Sequence, residues 1–227
     1  MTLRKGIAIL GGTFDPIHFG HLALAKAAWA QLPIARILFV PAGQPWQKGS
    51  TSPAHHRLAM LEAALSEWGD DAFAIDPMEL YREGPSYTID TLEVLRDKMG
   101  PSLPLTLLMG ADQWVNLNTW HRWEEILKFA NIAVANRTLE HPVPIQAQEA
   151  LFENCRIEPT DLAQHPFGHI TTFSMPPHKA SSTHIRLTLA QSSFSEALEQ
   201  LGDSLPTSVA NYIREHRLYG VQLHSKD

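Results

Sequence analysis

Short apolar runs alternate along the chain with longer stretches of helical period. Residues 6–10, 36–40, 72–76, 105–109 and 131–135 are each about the length of a buried strand, and 170–173 is a weaker late candidate. Between them the apolar positions recur every three or four residues. The spacing predicts helices over 21–32, 53–68, 87–99, 119–130, 182–191 and 206–216. Leu58, Leu61, Leu65 and Trp68 form one stripe, with Ser52 and Pro53 as a cap and first-turn proline and Gly69 as the stop. Leu92, Leu95 and Met99 form another, ahead of Gly100-Pro101. Trp123, Ile126 and Leu127 mark the core face of the 119–130 helix, so Trp120, one turn earlier, is left to face a ligand. Strand–helix alternation over most of the chain predicts an α/β fold with a parallel sheet wrapped on both faces, which binds ligands at the carboxyl ends of its strands. Residues 141–148, with two prolines, are the expected long loop. No linker or internal repeat is visible, so residues 1–227 are expected to form a single domain, with the C-terminal helices of about 182–219 packed on it.

Composition narrows the class. The 227 residues are 44% hydrophobic and 19% charged, ordinary for a globular protein and far from disorder. The single cysteine, Cys155, excludes an intramolecular disulfide and any multi-cysteine metal site. The 6–10 apolar run is shorter than a signal-peptide core, and no window approaches a membrane span, so a cytoplasmic protein without a membrane partner is expected. Eighteen Lys and Arg against 24 Asp and Glu give a net charge of -6, which argues against a nucleic-acid partner. Twelve histidines are the one oddity; His55, His56 and His224 are read as surface or packing residues.

The strongest chemistry follows the first strand: Gly11-Gly12-Thr13-Phe14-Asp15-Pro16-Ile17-His18-Phe19-Gly20-His21. Glycines at a strand end let a ligand approach the backbone. A helix starting near His21 would turn its unpaired N–H groups toward an anion. His18 and His21 share a helical face and can donate to phosphate oxygens. The same residues also allow a plain tight turn, core histidines, or two ligands of a metal site, which would still need a third ligand.

The whole string resembles the signature of the bacterial nicotinate-nucleotide adenylyltransferases, members of the nucleotidyltransferase superfamily with the His-x-x-His motif. Further segments resemble the same family. Val40-Pro41-Ala42-Gly43-Gln44-Pro45-Trp46-Gln47-Lys48 ends on the family lysine, with Trp46 and Gln47 departing from Pro-His. Arg82-Glu83-Gly84-Pro85-Ser86-Tyr87-Thr88 opens a helix, with Ser86 or Thr88 as its cap. Gly110-Ala111-Asp112 is followed by Trp120-His121-Arg122-Trp123. Ser181-Ser182-Thr183-His184-Ile185-Arg186 matches a late Ser-Ser-Thr-x-Ile-Arg pattern, while Asn136-Arg137-Thr138 departs from the family's sequence. The resemblance runs from about Gly6 to Tyr219 and is weakest over 137–177; the residues around Tyr219 are read as packing.

The resemblance implies a Rossmann-like doubly wound parallel sheet in three αβα layers, of the nucleotidyltransferase type. It implies transfer of the adenylyl group of ATP to nicotinate mononucleotide, giving nicotinate adenine dinucleotide and pyrophosphate, with Mg²⁺ arriving with ATP and no metal held by the protein. His18, His21, Lys48 and Arg186 are the implied catalytic residues. ATP is expected to meet Gly11, Gly12, Thr13, Phe14, His18, His21, Gly110, Asp112, Ser182, Thr183 and Arg186. The mononucleotide is expected to meet Gly12, Thr13, Lys48, Thr88, Ile89, Trp120 and His121, with Trp120 stacked on the pyridine ring. A related adenylyltransferase with a nicotinamide mononucleotide or phosphopantetheine acceptor, or a non-catalytic nucleotide-binding module, is the alternative.

Overall fold

The computed structural model describes residues 4–45, 51–136 and 149–222. Six strands form one parallel sheet in the order β3-β2-β1-β4-β5-β6: β1 (Ile7–Gly12), β2 (Arg36–Pro41), β3 (Phe73–Ile75), β4 (Leu105–Gly110), β5 (Asn131–Asn136) and β6 (Ile170–Ser174). The expected doubly wound, Rossmann-like sheet is present, and each expected strand lies within two residues of an observed one. Two compact units divide the chain. The first holds Met1–Gly12, Leu24–Gln47 and Ala72–Pro177, hence all six strands; the second holds Thr13–Ala23, Lys48–Asp71 and His178–Asp227.

In the first unit, alternation along the strands sorts side chains by face. Ile9, Leu38, Val40, Leu105, Leu107, Met109, Ile132, Val134 and Ile170 pack with Ile89, Leu92 and Leu95 of α3 (Thr88–Met99) and with Trp114 and Ile126. Their neighbours Ala8, Leu10, Ile37, Phe39, Leu108, Ala133 and Phe173 are buried as well, so the strands read as continuous apolar runs rather than alternating ones. Helix α1 (Phe19–Gln31) crosses that second face: Trp29 lies edge-on to Phe73 of β3 at 6.1 Å, and the Gln31 amide bonds both main-chain groups of Ser174 in β6. The sheet reverses direction of growth between β1 and β4, where the pairing stops at Ile9–Leu107. Beyond it the ends Leu10–Gly12 and Leu108–Gly110 part, leaving the crevice at which such sheets bind ligands.

The second unit consists of the loop from Thr13 and the start of α1, with α2 (Ala54–Trp68), α6 (Ser182–Gln191), α7 (Phe194–Leu201) and α8 (Thr207–Glu215). Helices α2 and α8 are joined at Ser208, whose N–H donates to Glu67 at 2.8 Å and whose side chain and main chain together hold that carboxyl below its ordinary range.

Several expectations fail locally. The 119–130 helix does not form. A short α4 (Ala111–Val115) and a 3-10 turn, Leu117–Thr119, lead into the stretch, which itself holds only the 3-10 turn Trp123–Lys128 after a break at Arg122 with φ 51°. There Arg122 reaches Glu93 and Glu125, each at 2.7 Å, and draws the Glu125 carboxyl down to about 2. Ser52 does not cap α2: Pro53 holds the cap position, and Ser52 turns its main chain to Asp15 and Arg57. Helix α7 was absent from the periodicity, yet Ser193 and Glu196 form a full capping box at its start. Helix α5 (Glu149–Cys155) was likewise unforeseen. The 141–148 loop and Arg137 lie outside the described residues.

Arg96, on α3, replaces a patch of apolar packing with a set of carbonyl bonds. Its guanidinium donates to the carbonyls of Gly100, Leu103, Phe129 and Pro166 at 2.6–3.0 Å, tying three loops together. Burial alone pulls this group below the ordinary arginine value. Arg96→Ala strands these carbonyls without donors, and at about 1–3 kcal/mol for each buried orphan the loss should exceed about 3 kcal/mol. Urea unfolding of the variant checks it; a loss below about 1 kcal/mol contradicts the bracing role.

Candidate nucleotide site

The loop after β1 is fixed before any ligand arrives. In the second unit, the Asp15 carboxylate, 4% exposed, accepts the Tyr219 hydroxyl at 2.7 Å and the Ser52 N–H at 3.1 Å. Arg57, 1% exposed, donates to the Thr13 carbonyl at 2.9 Å and the Ser52 carbonyl at 3.0 Å; burial lowers its pKa and the Asp15 charge pulls it back up. The Asp15–Pro16 peptide is cis. Phe14 is buried, with φ 50°, and its ring meets His21 edge-on at 5.1 Å. The Phe14 side chain therefore backs the His21 ring rather than offering a face to a nucleotide.

His18 and His21 come together, as the three-residue spacing predicts. Their rings stack at 3.8 Å with 25° between planes. Nδ1 of His18 accepts the Gly20 N–H at 3.1 Å, and Nδ1 of His21 accepts the His18 N–H at 3.3 Å. In a neutral ring whose Nδ1 accepts, the proton is on Nε2. Both rings thus carry their donor on the same nitrogen. The expected use of α1's N-terminus is corrected here. Phe19 N–H bonds the Ser204 carbonyl, Gly20 N–H bonds His18, and the His21 and Leu22 N–H groups bond the His18 carbonyl. The main chain of that turn is spent, and the imidazoles are its donors.

Helix α6 does present main-chain donors. Its cap residue Ser181 makes no side-chain cap, and the N–H groups of Ser182, Thr183 and His184 bond no group among the described residues. Ser182 Oγ instead ties to the Pro16 carbonyl at 3.0 Å. Arg186 donates from Nη1 to the Asp15 carbonyl at 2.7 Å and from Nη2 to Thr183 Oγ1 at 3.5 Å, which leaves the rest of its fork for an anion. The second unit thus brings Thr13, Phe14, His18, His21, Ser182, Thr183 and Arg186 onto one framework.

The first unit carries Gly11, Gly12, Thr88, Ile89, Gly110, Asp112, Trp120 and His121. A Cβ at Gly11 would meet nothing within 4 Å, so this strand end is open to a ligand. At the end of β4, Asp112 folds back over Gly110, where a Cβ would lie 2.7 Å from Oδ1. At α3 the expected cap by Ser86 or Thr88 is replaced by Tyr87 in the cap position without a side-chain bond. Ser86 Oγ accepts the N–H groups of Gly43 and Gln44 at 2.9 and 3.2 Å, and Gly43 has no room for a side chain against the Glu79 carbonyl. The Thr88 and Ile89 N–H groups at the helix start bond no group among the described residues. Beside them the Tyr87 ring stacks on His121 at 4.2 Å. Beneath them the Thr91 hydroxyl donates to Glu79, whose carboxyl burial pushes up against the pull of Thr91 and Arg82. Trp120 is half-buried on the same core as Trp123, so the two indoles are not divided into a core and a ligand ring as the spacing suggested. Lys48, with Trp46 and Gln47, lies outside the described residues.

Residues 9–188 match the model of the cytidylyltransferase-like family. A probable nicotinate-nucleotide adenylyltransferase of Dechloromonas aromatica is 39% identical over 223 residues, covering 96% of this chain and 99% of its own. One from Neisseria meningitidis is 38% identical over 218 residues, covering 95% and 98%. The chain belongs to this family of nicotinate-nucleotide adenylyltransferases. The fold agrees: a Plasmodium falciparum nicotinic acid mononucleotide adenylyltransferase, solved with NaAD, superposes with a TM-score of 0.69 at 18% identity, covering 96% of this chain and 98% of that one.

In this nicotinate-nucleotide adenylyltransferase homologue, sequence reasoning missed the supports behind the histidines. Asp15 lay inside the motif but had no role assigned, and Arg57 was invisible within a helical stripe. Tyr219 was taken for packing, whereas its hydroxyl bonds the motif itself. Gly20 had a readable signal, its place directly between the two histidines, because a Cβ there would lie 2.9 Å from Nδ1 and Cε1 of His18.

Histidine ¹⁵N shifts at a pH where both rings are neutral should show Nδ1 unprotonated and Nε2 protonated at His18 and His21. Gly20→Ala should alter the His18 pattern while circular dichroism stays unchanged. A protonated Nδ1 on either ring in the unaltered protein contradicts the assignment.

Proposed function

We propose that this chain joins ATP and nicotinate mononucleotide, forming nicotinate adenine dinucleotide and releasing pyrophosphate. The observation that carries this reading is the near-full-length kinship with nicotinate-nucleotide adenylyltransferases. The donor chemistry of both units supports it. The nucleophile is the mononucleotide's own phosphate, mostly dianionic near neutral pH because its second pKa is about 6. No general base is required. An oxygen of that phosphate bonds to the α-phosphorus of ATP as the bond to the β-phosphate oxygen breaks, and pyrophosphate leaves with the bonding electrons. Catalysis consists of alignment and of offsetting charge on the transferring group.

His18 Nε2–H is assigned to the α-phosphate oxygens, where charge builds in the transition state. His21 and Arg186 bear on the β- and γ-phosphates with the Ser182 and Thr183 main chain, and Lys48 joins them on the departing pyrophosphate. Gly11, Gly12, Thr13 and the Phe14 main chain line the close approach of ATP, with Gly110 and Asp112 toward its nucleoside. Gly12, Thr13 and Lys48 also meet the mononucleotide phosphate. Thr88 and Ile89 N–H groups receive the pyridine carboxylate, beside Trp120 and His121.

A divalent ion, Mg²⁺ in this reading, accompanies the triphosphate. The donor set fits an ion held by phosphates and water: no cluster of three or more potential ligands occurs among the described residues, and both Asp15 oxygens already accept protein donors. Bound there, it would supply charge neutralisation on the leaving group. No helix among the described residues is long and apolar enough to cross a membrane.

A carboxylate only accepts hydrogen bonds, so it suits the paired N–H donors at α3, whereas a carboxamide turns an NH₂ toward one of them. One buried unpaired donor costs about 1–3 kcal/mol, which makes kcat/KM for nicotinate mononucleotide about ten- to a hundred-fold above that for the nicotinamide form. Pyrophosphate release measured with both acceptors tests the function and the preference together, and equal values overturn the carboxylate assignment. His18→Ala should lower kcat by about a hundred-fold or more while ATP affinity changes far less. If kcat survives within a few-fold, His18 is not the group at the transferring phosphate.

A further inference from the structure

Tyr219 has a conformation and a partner that packing alone does not require. It lies in the 3-10 turn Leu218–Gly220 with φ 61°, directly after Arg217 at φ 50°. An aromatic residue in the left-handed region is rare and persists only when its surroundings enforce it. In that conformation the phenol donates to Asp15 Oδ1 at 2.7 Å, with the softer Met60 Sδ at 3.8 Å. Burial and the neighbouring carboxylate push this phenol well above its ordinary pKa, so it remains a donor throughout the neutral range. Asp15 in turn offers its own carbonyl to Arg186 Nη1 at 2.7 Å. The same residue therefore receives Tyr219 through its side chain and anchors Arg186 through its main chain, with Ser52 N–H holding the second carboxylate oxygen. All of these groups belong to the second compact unit.

We infer that Tyr219 is a positioning residue for the triphosphate: by fixing Asp15 it sets the carbonyl from which the Arg186 guanidinium is aimed. This rests on the adenylyl-transfer reading, within which Arg186 grips ATP. Phenylalanine would fill the same volume but release Asp15 Oδ1, so the hydroxyl is the part that matters. Its effect should reach ATP only through Arg186, and that distinguishes positioning from general support of the fold.

The test is a double-mutant cycle read by calorimetric affinity for a non-hydrolysable ATP analogue with Mg²⁺, using the full chain, Tyr219→Phe, Arg186→Ala and the double variant. Losing a hydrogen bond to a charged group should weaken binding about ten-fold in Tyr219→Phe. In the Arg186→Ala background the same change should alter binding by less than about two-fold, because nothing remains to be aimed. Asp15→Asn, which changes the acceptor without removing side-chain volume, should show the same dependence on Arg186. Unchanged affinity in Tyr219→Phe, equal losses in both backgrounds, or absence of binding by the unaltered chain each overturns the inference. Pyrophosphate release by the unaltered chain is read separately. Coupling between Tyr219 and Arg186 without turnover of nicotinate mononucleotide overturns the proposed acceptor and leaves the positioning role standing.

Discussion

The buried carboxylate of Asp15 is the constraint around which the second unit is organised. A charge taken out of water must be met by donors, and here they come from distant parts of the chain: Tyr219 near its far end and the Ser52 main chain ahead of α2. Arg57 then holds the carbonyls on either side, at Thr13 and Ser52, so the loop between the first strand and first helix is gripped at several points. A loop made this rigid can carry a pair of stacked imidazoles without ligand to order them.

Rigidity of this kind suits a reaction in which the protein supplies no nucleophile and no base. When both reacting groups arrive with the substrates, the protein contributes placement and charge, and donors that are already oriented cost nothing to reorganise as the bond changes. The first unit follows the same economy. Ser86 clips the loop after β2 to the start of α3, so the N–H groups of Thr88 and Ile89 are held open by the surrounding backbone rather than by a cap.

What was legible in the sequence, and what was not, follows from the range of the interactions involved. The inner strands were readable because their two-sided burial writes apolar runs, whereas the half-buried β3 and the Thr-containing β6 give weaker ones, and the His18–His21 pairing was readable because three residues on a helical turn fix a direction. The 119–130 stretch misled because its apolar spacing is helical while Arg122 leaves the helical region to meet Glu93, a partner that local pattern does not contain. The supports of the site were hidden for the same reason. Asp15 and Tyr219 are 204 residues apart, and no periodicity connects them. Only the capping box of α7 and the position of Gly20 were local signals that went unused.

The first turn of α1 has a consequence for how the site is inherited. A phosphate cradle made of main-chain amides belongs to nearly any sequence that keeps the backbone shape, since every residue except proline brings the same N–H. Here that turn closes on Ser204 and His18, and its remaining donors are two imidazoles. In the proposed reading, what this loop offers a phosphate is therefore written in two codons rather than in a backbone contour. A single nucleotide change at either one can remove that imidazole donor from the turn, whereas the main-chain donors at the start of α6 do not depend on which side chains stand there.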